Sequence, residues 1–520
     1  MPDPQPTSAI AKCNLARAMA VVLLCLTAAI SLAWSHHKLL SQDERYEFQT
    51  DSVPSLAALV HIQKTWPISL DPLLYHALSH AAMQLFGACA FAQRLPALAG
   101  FLLMQVCLFF FVRNLAGDRA GAIAAAFPAL TATLFYSAEG RPYGLLLGLY
   151  ALALCCWQAA SRKPSRRAWP LAGLAFALAA TVNTHYFGIL LLVPIGAAEA
   201  WRTFARRKLD WPMLAAIVAG LAGLLATRPF LQAAGAFRSN YYNGGSVGLH
   251  DITRAYRSLF VDYSHMSMSA QHAWMAALVL FAAALVWGCW RVARTRALPI
   301  SSAEWVLVLT LAALPFCGFL LARFVTHSIE VRYVLGALVA ISAMLALALS
   351  PLLRHDAVFN AALVVLGLGI LATGAARIHT EQRNTAARLA SLALAPNLKS
   401  ALLANPDGRL YIQDMGAFEE DRFYEPDPDI RARMTLVYSS GEELRWSRHD
   451  TMALTAMHLE HFTSLPIVSY ESLRAQPGEH LFVLFHTGWD WTDQAFAADS
   501  AQLRPLGHAL AGDIVNVRFR

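Results

Sequence analysis

The stretch YGLLLGLYALALCCWQAA, residues 143–160, runs for eighteen residues without an acidic or basic side chain. It is bounded by Arg141 on one side and Arg162-Lys163 on the other. A segment of this length and character matches the roughly 20 apolar residues that a helix needs to cross a bilayer core. Moving outward, comparable runs lie near residues 15–34, 92–112, 119–136, 170–186, 187–201, 212–230, 272–290, 304–323, 333–350 and 358–376. Together they predict an all-α polytopic membrane domain with about 11 transmembrane helices. The composition agrees: of 520 residues, 57% are hydrophobic and 14% charged, a balance that soluble domains rarely have.

Charge is distributed unevenly. Basic residues gather in short loops between the runs: Arg113 and Arg119, Arg162-Lys163 with Arg166-Arg167, Arg202 with Arg206-Arg207-Lys208, Arg291/Arg294/Arg296, and Arg354. With Lys12 and Arg17 inside, alternation sends all of these loops to the cytoplasm, as the positive-inside rule requires. Parity then places the chain after the last run outside. The net charge of +7 forms no continuous basic face, which excludes nucleic acid as a partner. The first run also admits a signal-peptide reading, but it exceeds the ~7–15 residues of such a core.

Two domains follow from this pattern: a transmembrane domain over 1–376, with a first outer loop at 35–91, and a periplasmic domain over 377–520. In the second, a polar helical stalk is expected at 378–397. Strands are expected at 409–413, 434–438, 465–469, 480–485 and 514–519, with helices near 449–464 and 491–504. Strands alternating with helices predict a small extracytoplasmic α/β domain with a largely parallel sheet. It has no Gly-rich phosphate loop or nucleophile elbow, so no separate activity is assigned to it. Trp489 and Trp491 either stack on a sugar or pack inside the domain. The cysteines show neither metal spacing nor a disulfide framework.

The outer ends of the runs carry a mixed set of charges. The first loop holds Asp43, Glu44, Arg45, Glu47, Asp51 and Asp71. Glu139, Arg141 and Tyr143 occupy the second outer turn, and Asn183, His185 and Tyr186 the third. Arg228 and Arg323 close two further runs, and Glu330, Arg332 and Tyr333 open another. Arginines that snorkel to headgroups and solvated acids would produce part of this pattern. Recurrence of both signs at one membrane face also suits a site for an anionic lipid-linked substrate. A transporter would sooner place its ionisable groups near the midplane.

At these residues the chain resembles the GT-C superfamily of polyprenyl-phosphate-sugar glycosyltransferases, in the branch of protein O-mannosyltransferases and bacterial aminoarabinose transferases. Six ordered motifs carry the resemblance over most of residues 15–350: Ser41 to Tyr46 around the acidic Asp43-Glu44; Leu70-Asp71-Pro72-Leu73-Leu74-Tyr75; Phe91 to Pro96 with Gly100; Tyr136-Ser137-Ala138-Glu139-Gly140-Arg141-Pro142-Tyr143; Thr184-His185-Tyr186-Phe187; and Arg332-Tyr333. The chain departs from the family pattern at Asp71, where a proline is usual, and at Gly140, where alanine is usual.

The resemblance implies an inverting membrane glycosyltransferase with a polyprenyl-phosphate sugar donor and an unidentified extracytoplasmic acceptor; the Ala/Leu/Arg-rich composition and short loops suit a bacterial inner membrane. Such transfer needs a base for the acceptor hydroxyl and cations for the departing phosphate. Asp43 is the expected base, with Glu44 orienting or replacing it; capping of a short helix is the alternative for both. Arg141 and Arg332, with Tyr143, Tyr333 and His185, are the expected phosphate-binding set, and Glu139 and Asp71 further substrate contacts. Asp71 and His185 also offer two ligands to a divalent metal; no other cofactor is expected. The alternatives are a non-catalytic membrane protein, such as a lipid-linked glycan transporter, and a glycan ligase or polymerase with a diphosphate-linked donor.

Overall fold

The computed structural model describes residues 6–237, 247–261, 266–327, 329–391, 399–400, 402–403, 408–484, 490–509 and 512–519. The chain divides into two compact units. The first comprises Met1–His36, Asp71–Arg228 and Asn243–Ile378; the second comprises His37–Leu70, Pro229–Tyr242 and His379–Arg520.

The first unit is helical. Among the described residues, seven helices are long and apolar enough to span a membrane: Asn14–His37, Ala90–Ala116, Tyr143–Arg162, Tyr186–Arg206, Trp211–Ala236, Met268–Thr295 and Asp356–Ala390. Ser302–Ala312 and Leu314–Val325 form a further span bent by 52°, with Pro315 in the first turn after the break, where a missing N–H is tolerated. Shorter apolar helices cover Ala168–Thr184 and Gly336–Leu349. The run at 119–136 is a helix only over Asp118–Ala126. Two 3₁₀ turns, Phe127–Leu130 and Ala132–Ser137, continue it, the first carrying Pro128. Trp287, Val286 and Leu280 of Met268–Thr295 are exposed, as lipid-facing side chains are.

The helix Tyr143–Arg162 packs closely on Ala90–Ala116. A Cβ on Gly100 would lie 2.2 Å from Leu145 Cα, and one on Gly148 would lie 2.4 Å from Gly100 O. Small residues there let the two backbones touch, the usual means of tight packing in a bilayer.

The second unit is an α/β domain with a six-stranded sheet in the order β3-β2-β1-β4-β6-β5. The strands are β1 (Leu410–Ile412), β2 (Met434–Tyr438), β3 (Ile467–Ser469), β4 (Glu479–Leu484), β5 (Gln502–Ala509) and β6 (Gly512–Arg518). Strands β3, β2, β1 and β4 are mutually parallel, whereas β6 runs antiparallel to both β4 and β5. Strand β5 departs from the sequence-based expectation of a helix to residue 504; the helix is Thr492–Ala498. Pro505 and Gly507 hide the strand, since both weaken a strand pattern, yet an edge strand with a bulge accepts them.

One face of the sheet buries Tyr411, Val437, Tyr470, Phe482 and Trp491. Trp491 is 1% exposed and meets Tyr470 edge-on at 5.3 Å, so it packs within the domain. Trp489 lies outside the described residues. The other face buries Leu410, Ile412, Phe418 and Leu436 together with Tyr46 and Ile68. Residues from the first outer loop therefore belong to the core of the C-terminal domain.

Candidate functional site

In the first unit, the outer-turn residues converge. The helix Leu73–Phe86 starts after Pro72, which puts Asp71 immediately ahead of it. A tight turn, closed by the Arg141 amide donating to Glu139 O at 2.8 Å, leads into Tyr143–Arg162. His185 is the extended residue between Ala168–Thr184 and the 3₁₀ turn Tyr186–Leu191. Arg332 and Tyr333 lie on a 3₁₀ turn, Val331–Tyr333.

Asp71 stands at the centre, 8% exposed. Its Oδ2 lies 3.2 Å from the Arg141 guanidinium, and its Oδ1 lies 3.6 Å from His185 Nε2. Arg141 also donates to Tyr143 Oη at 3.2 Å. The guanidinium carbons of Arg141 and Arg332 lie 5.6 and 5.9 Å from the centroid of the same Tyr143 ring. Arg332 is 5.8 Å from the Tyr333 ring as well, and Tyr333 stacks on Phe187 at 4.1 Å. The result is an aromatic-lined cluster with two planar cations, a chemistry suited to a phosphate.

His185 accepts the Phe187 amide at Nδ1 (3.2 Å), which places its proton on Nε2, towards Asp71. Burial is the main cause that lowers its pKa to about 4; Asp71 opposes the shift and the two arginines add to it. The ring is therefore neutral at physiological pH. Neutral His185 and Asp71 can each ligate a metal, but Arg141 already pairs with Asp71. Among the described residues no third His, Cys, Asp or Glu completes a ligand set with them. These residues alone do not form a metal centre.

The two departures from the family pattern find physical reasons. Asp71 supplies the carboxylate that holds Arg141 and His185. At Gly140, a Cβ would lie 2.8 Å from Gln93 Cδ, so the buried Gln93 side chain fills the space an alanine methyl would take. Glu139 is half-buried in the turn, whereas Arg228 and Arg323 are exposed. Asn183 Nδ2 donates to Ala179 O at 2.8 Å and to Gly223 O at 3.1 Å.

Sequence reasoning missed a neighbouring cavity of about 430 Å³, lined by Tyr256, Arg257, Phe260, Phe281, Leu285 and Val286. The helix His250–Phe260 forms one wall, and Arg254 on that helix donates to Ile329 O at 3.1 Å, three residues before Arg332. Only an amphipathic pattern in a loop-like stretch could have signalled it: Asp251, Ile252, Ala255 and Leu259 are buried on one side.

In the second unit, Asp43 and Glu44 share the first turn of the helix Gln42–Asp51 but differ in environment. Glu44 is fully buried and completes a capping box: Ser41 N donates to its carboxylate at 2.9 Å, and Lys38 Nζ pairs with it at 2.7 Å. Asp43 keeps partial exposure.

Among curated protein sequences none matches the chain. Residues 71–232 match the model of the family described as dolichyl-phosphate-mannose-protein mannosyltransferase. Among solved structures the chain is similar to ArnT from Cupriavidus metallidurans. The form bound to undecaprenyl phosphate is 13% identical, with a TM-score of 0.60, and the match covers 95% of this chain and 97% of that one. The apo form is also 13% identical, with a TM-score of 0.64 and coverage of 96% and 98%. Beyond residues 71–232 the likeness is one of fold: a multi-pass helical membrane domain followed by an α/β domain, as in ArnT from Cupriavidus metallidurans.

Proposed function

We propose that the chain transfers one sugar from a polyprenyl-phosphate donor to an extracytoplasmic acceptor, with inversion at the anomeric carbon. The observation that carries this reading is the convergence of Arg141 and Arg332 on one tyrosine ring beside the buried Asp71–His185 pair. Two forked cations in a water-poor setting can hold the donor phosphate and stabilise the charge that grows on it as the glycosidic bond breaks. The neighbouring apolar cavity offers room for the first isoprene units of the lipid. The fold shared with a structure bound to undecaprenyl phosphate supports a lipid-phosphate donor of this kind.

Asp43 takes the acceptor hydroxyl proton as the oxygen attacks the anomeric carbon, and the bond to the phosphate oxygen breaks on the opposite side. Arg141 and Arg332 receive the leaving phosphate, and Tyr143 and Tyr333 orient them. Asp71 fixes Arg141, while neutral His185 braces Asp71. Glu44 holds the helix start that presents Asp43. The chain sits in a bacterial inner membrane with its N-terminus cytoplasmic and residues 377–520 periplasmic.

The test uses purified protein with a panel of polyprenyl-phosphate sugars, following released polyprenyl phosphate and transferred sugar by mass spectrometry. Wild type is expected to release lipid phosphate in a sugar-dependent manner. Asp43→Asn is expected to lose about 10²–10⁴-fold of that rate. Full activity in folded Asp43→Asn removes the base assignment. Turnover only with diphosphate-linked oligosaccharides replaces the monosaccharide donor with a ligase reading.

A further inference from the structure

We infer that the C-terminal α/β domain acts as the platform that positions the Asp43 helix, and that Arg45 is the positioning residue that locks it there. This rests on the reading of Asp43 as the base.

Arg45 follows Asp43 by two positions and is 4% exposed. One end of its guanidinium fork donates to Leu40 O at 2.6 Å, just ahead of the helix Gln42–Asp51. The other donates to Gly416 O at 2.9 Å, on the first turn of the helix Met415–Tyr424. A single side chain thus ties the start of the acid-bearing helix to the C-terminal domain. Its Nε faces Glu419 Oε2 at 3.8 Å, on that same second helix.

Three independent contacts repeat the tie. Tyr424 Oη accepts the Leu40 amide at 2.6 Å. Phe48 meets Phe423 edge-on at 5.3 Å, and Tyr46 is buried in the sheet's core beside Met415 and Phe418. The hydrogen bonds flank Asp43 in sequence, and the aromatic contacts secure the rest of its helix. A ten-residue helix draws its stability from tertiary contacts of this kind. For one that carries a proton acceptor their geometry matters as well, because a displacement of about 1 Å in a reacting group can cost 10²-fold in rate. Lysine substitutes only in part, since its single nitrogen does not reproduce the two-nitrogen fork that spans Leu40 O and Gly416 O.

The experiment compares Arg45→Ala, Arg45→Lys and Tyr424→Phe in the full-length protein, measuring kcat and donor KM separately. For Arg45→Ala, kcat is expected to fall about 10- to 100-fold with donor KM changed by less than about twofold. The milder two variants should fall in between. A cysteine-free background carrying Phe48→Cys and Phe423→Cys, bridged by a short bis-maleimide, should restore most of the kcat lost in Arg45→Ala. Unchanged kcat in Arg45→Ala, or no recovery on bridging, overturns the platform role. If Arg45→Ala does not fold, Arg45→Lys and Tyr424→Phe decide in its place, and unchanged kcat in both overturns the role. Failure of the base assignment shows separately, as full activity in Asp43→Asn. The tether is then tested by hydrogen exchange alone, where Arg45→Ala should expose the amides of Gln42–Asp51, and unchanged protection refutes it.

Discussion

Asp71 in the membrane unit and Glu419 in the α/β unit are both buried carboxyl groups, and they meet the cost of burial in opposite ways. Asp71 has a guanidinium at 3.2 Å and an imidazole N–H at 3.6 Å. Among the described residues, Glu419 has one cation, Arg45, at 3.8 Å, and neither of its oxygens accepts a hydrogen bond. Burial therefore pushes the Glu419 pKa up to about 8, against which Arg45 is a minor opposing influence. The first arrangement organises cations around a carboxylate. The second tolerates a proton instead, as a structural contact can.

Removing Arg141 should break the first arrangement most severely. Arg141→Ala takes the guanidinium away from Asp71 and, on the proposed reading, removes one of the two cations that hold the donor phosphate. We expect kcat/KM for the lipid donor to fall about 10²- to 10³-fold, read from donor titrations at saturating acceptor. Near-normal kcat/KM would mean that Asp71 and Arg141 are a structural pair. Arg332→Ala should raise the donor requirement in the same direction while leaving the Asp71–Arg141 pair in place.

A pH series sharpens the contrast. Glu419 is joined by Asp421, raised to about 7 by burial against the pull of Arg388 and Arg45, and by Glu443, raised to about 7 by burial. In the folded unit these groups hold protons that the unfolded chain has already released. Their stabilisation is complete below the ordinary carboxylate range and is lost as pH rises from there through about 8. Thermal unfolding of the α/β unit should accordingly occur at lower temperature at pH 8.5 than at pH 6. Glu419→Gln should raise the midpoint at both pH values, and by more at pH 8.5 than at pH 6. The membrane-unit site should show the reverse insensitivity. His185, with its pKa near 4, stays neutral, so the transfer rate should carry no histidine inflection between pH 5.5 and 8. The smallest effect is expected at the helix cap. Ser41→Ala should cost about 1 kcal/mol of local stability, seen as faster amide exchange in Gln42–Asp51.

Much of this is legible in the chain itself. Apolar runs and basic loops announce the membrane unit, and Ser41-x-x-Glu44 already spells a capping box. The ordered motifs point to Asp71, Arg141, His185 and Arg332, which the fold gathers around Tyr143. What the sequence does not show are the pairings of distant segments. No periodicity links Arg45 to Gly416, or Tyr46 to the core behind β1, because a hydrogen bond to a backbone carbonyl leaves no trace in residue type. The cavity walled by His250–Phe260 is likewise hidden, since that wall is a short amphipathic helix in a stretch too polar to read as a span.

The pairing of the first outer loop with the C-terminal sheet also has a consequence for biosynthesis. The helix Gln42–Asp51 leaves the ribosome long before the strands and helices that receive it. Through most of synthesis and membrane insertion, the residue assigned as base has no seat. On the proposed assignment of Asp43, competence for transfer arrives only with the last stretch of the chain, and a product truncated after its final span is expected to accumulate as an inert, lipid-embedded intermediate and not as a weak enzyme.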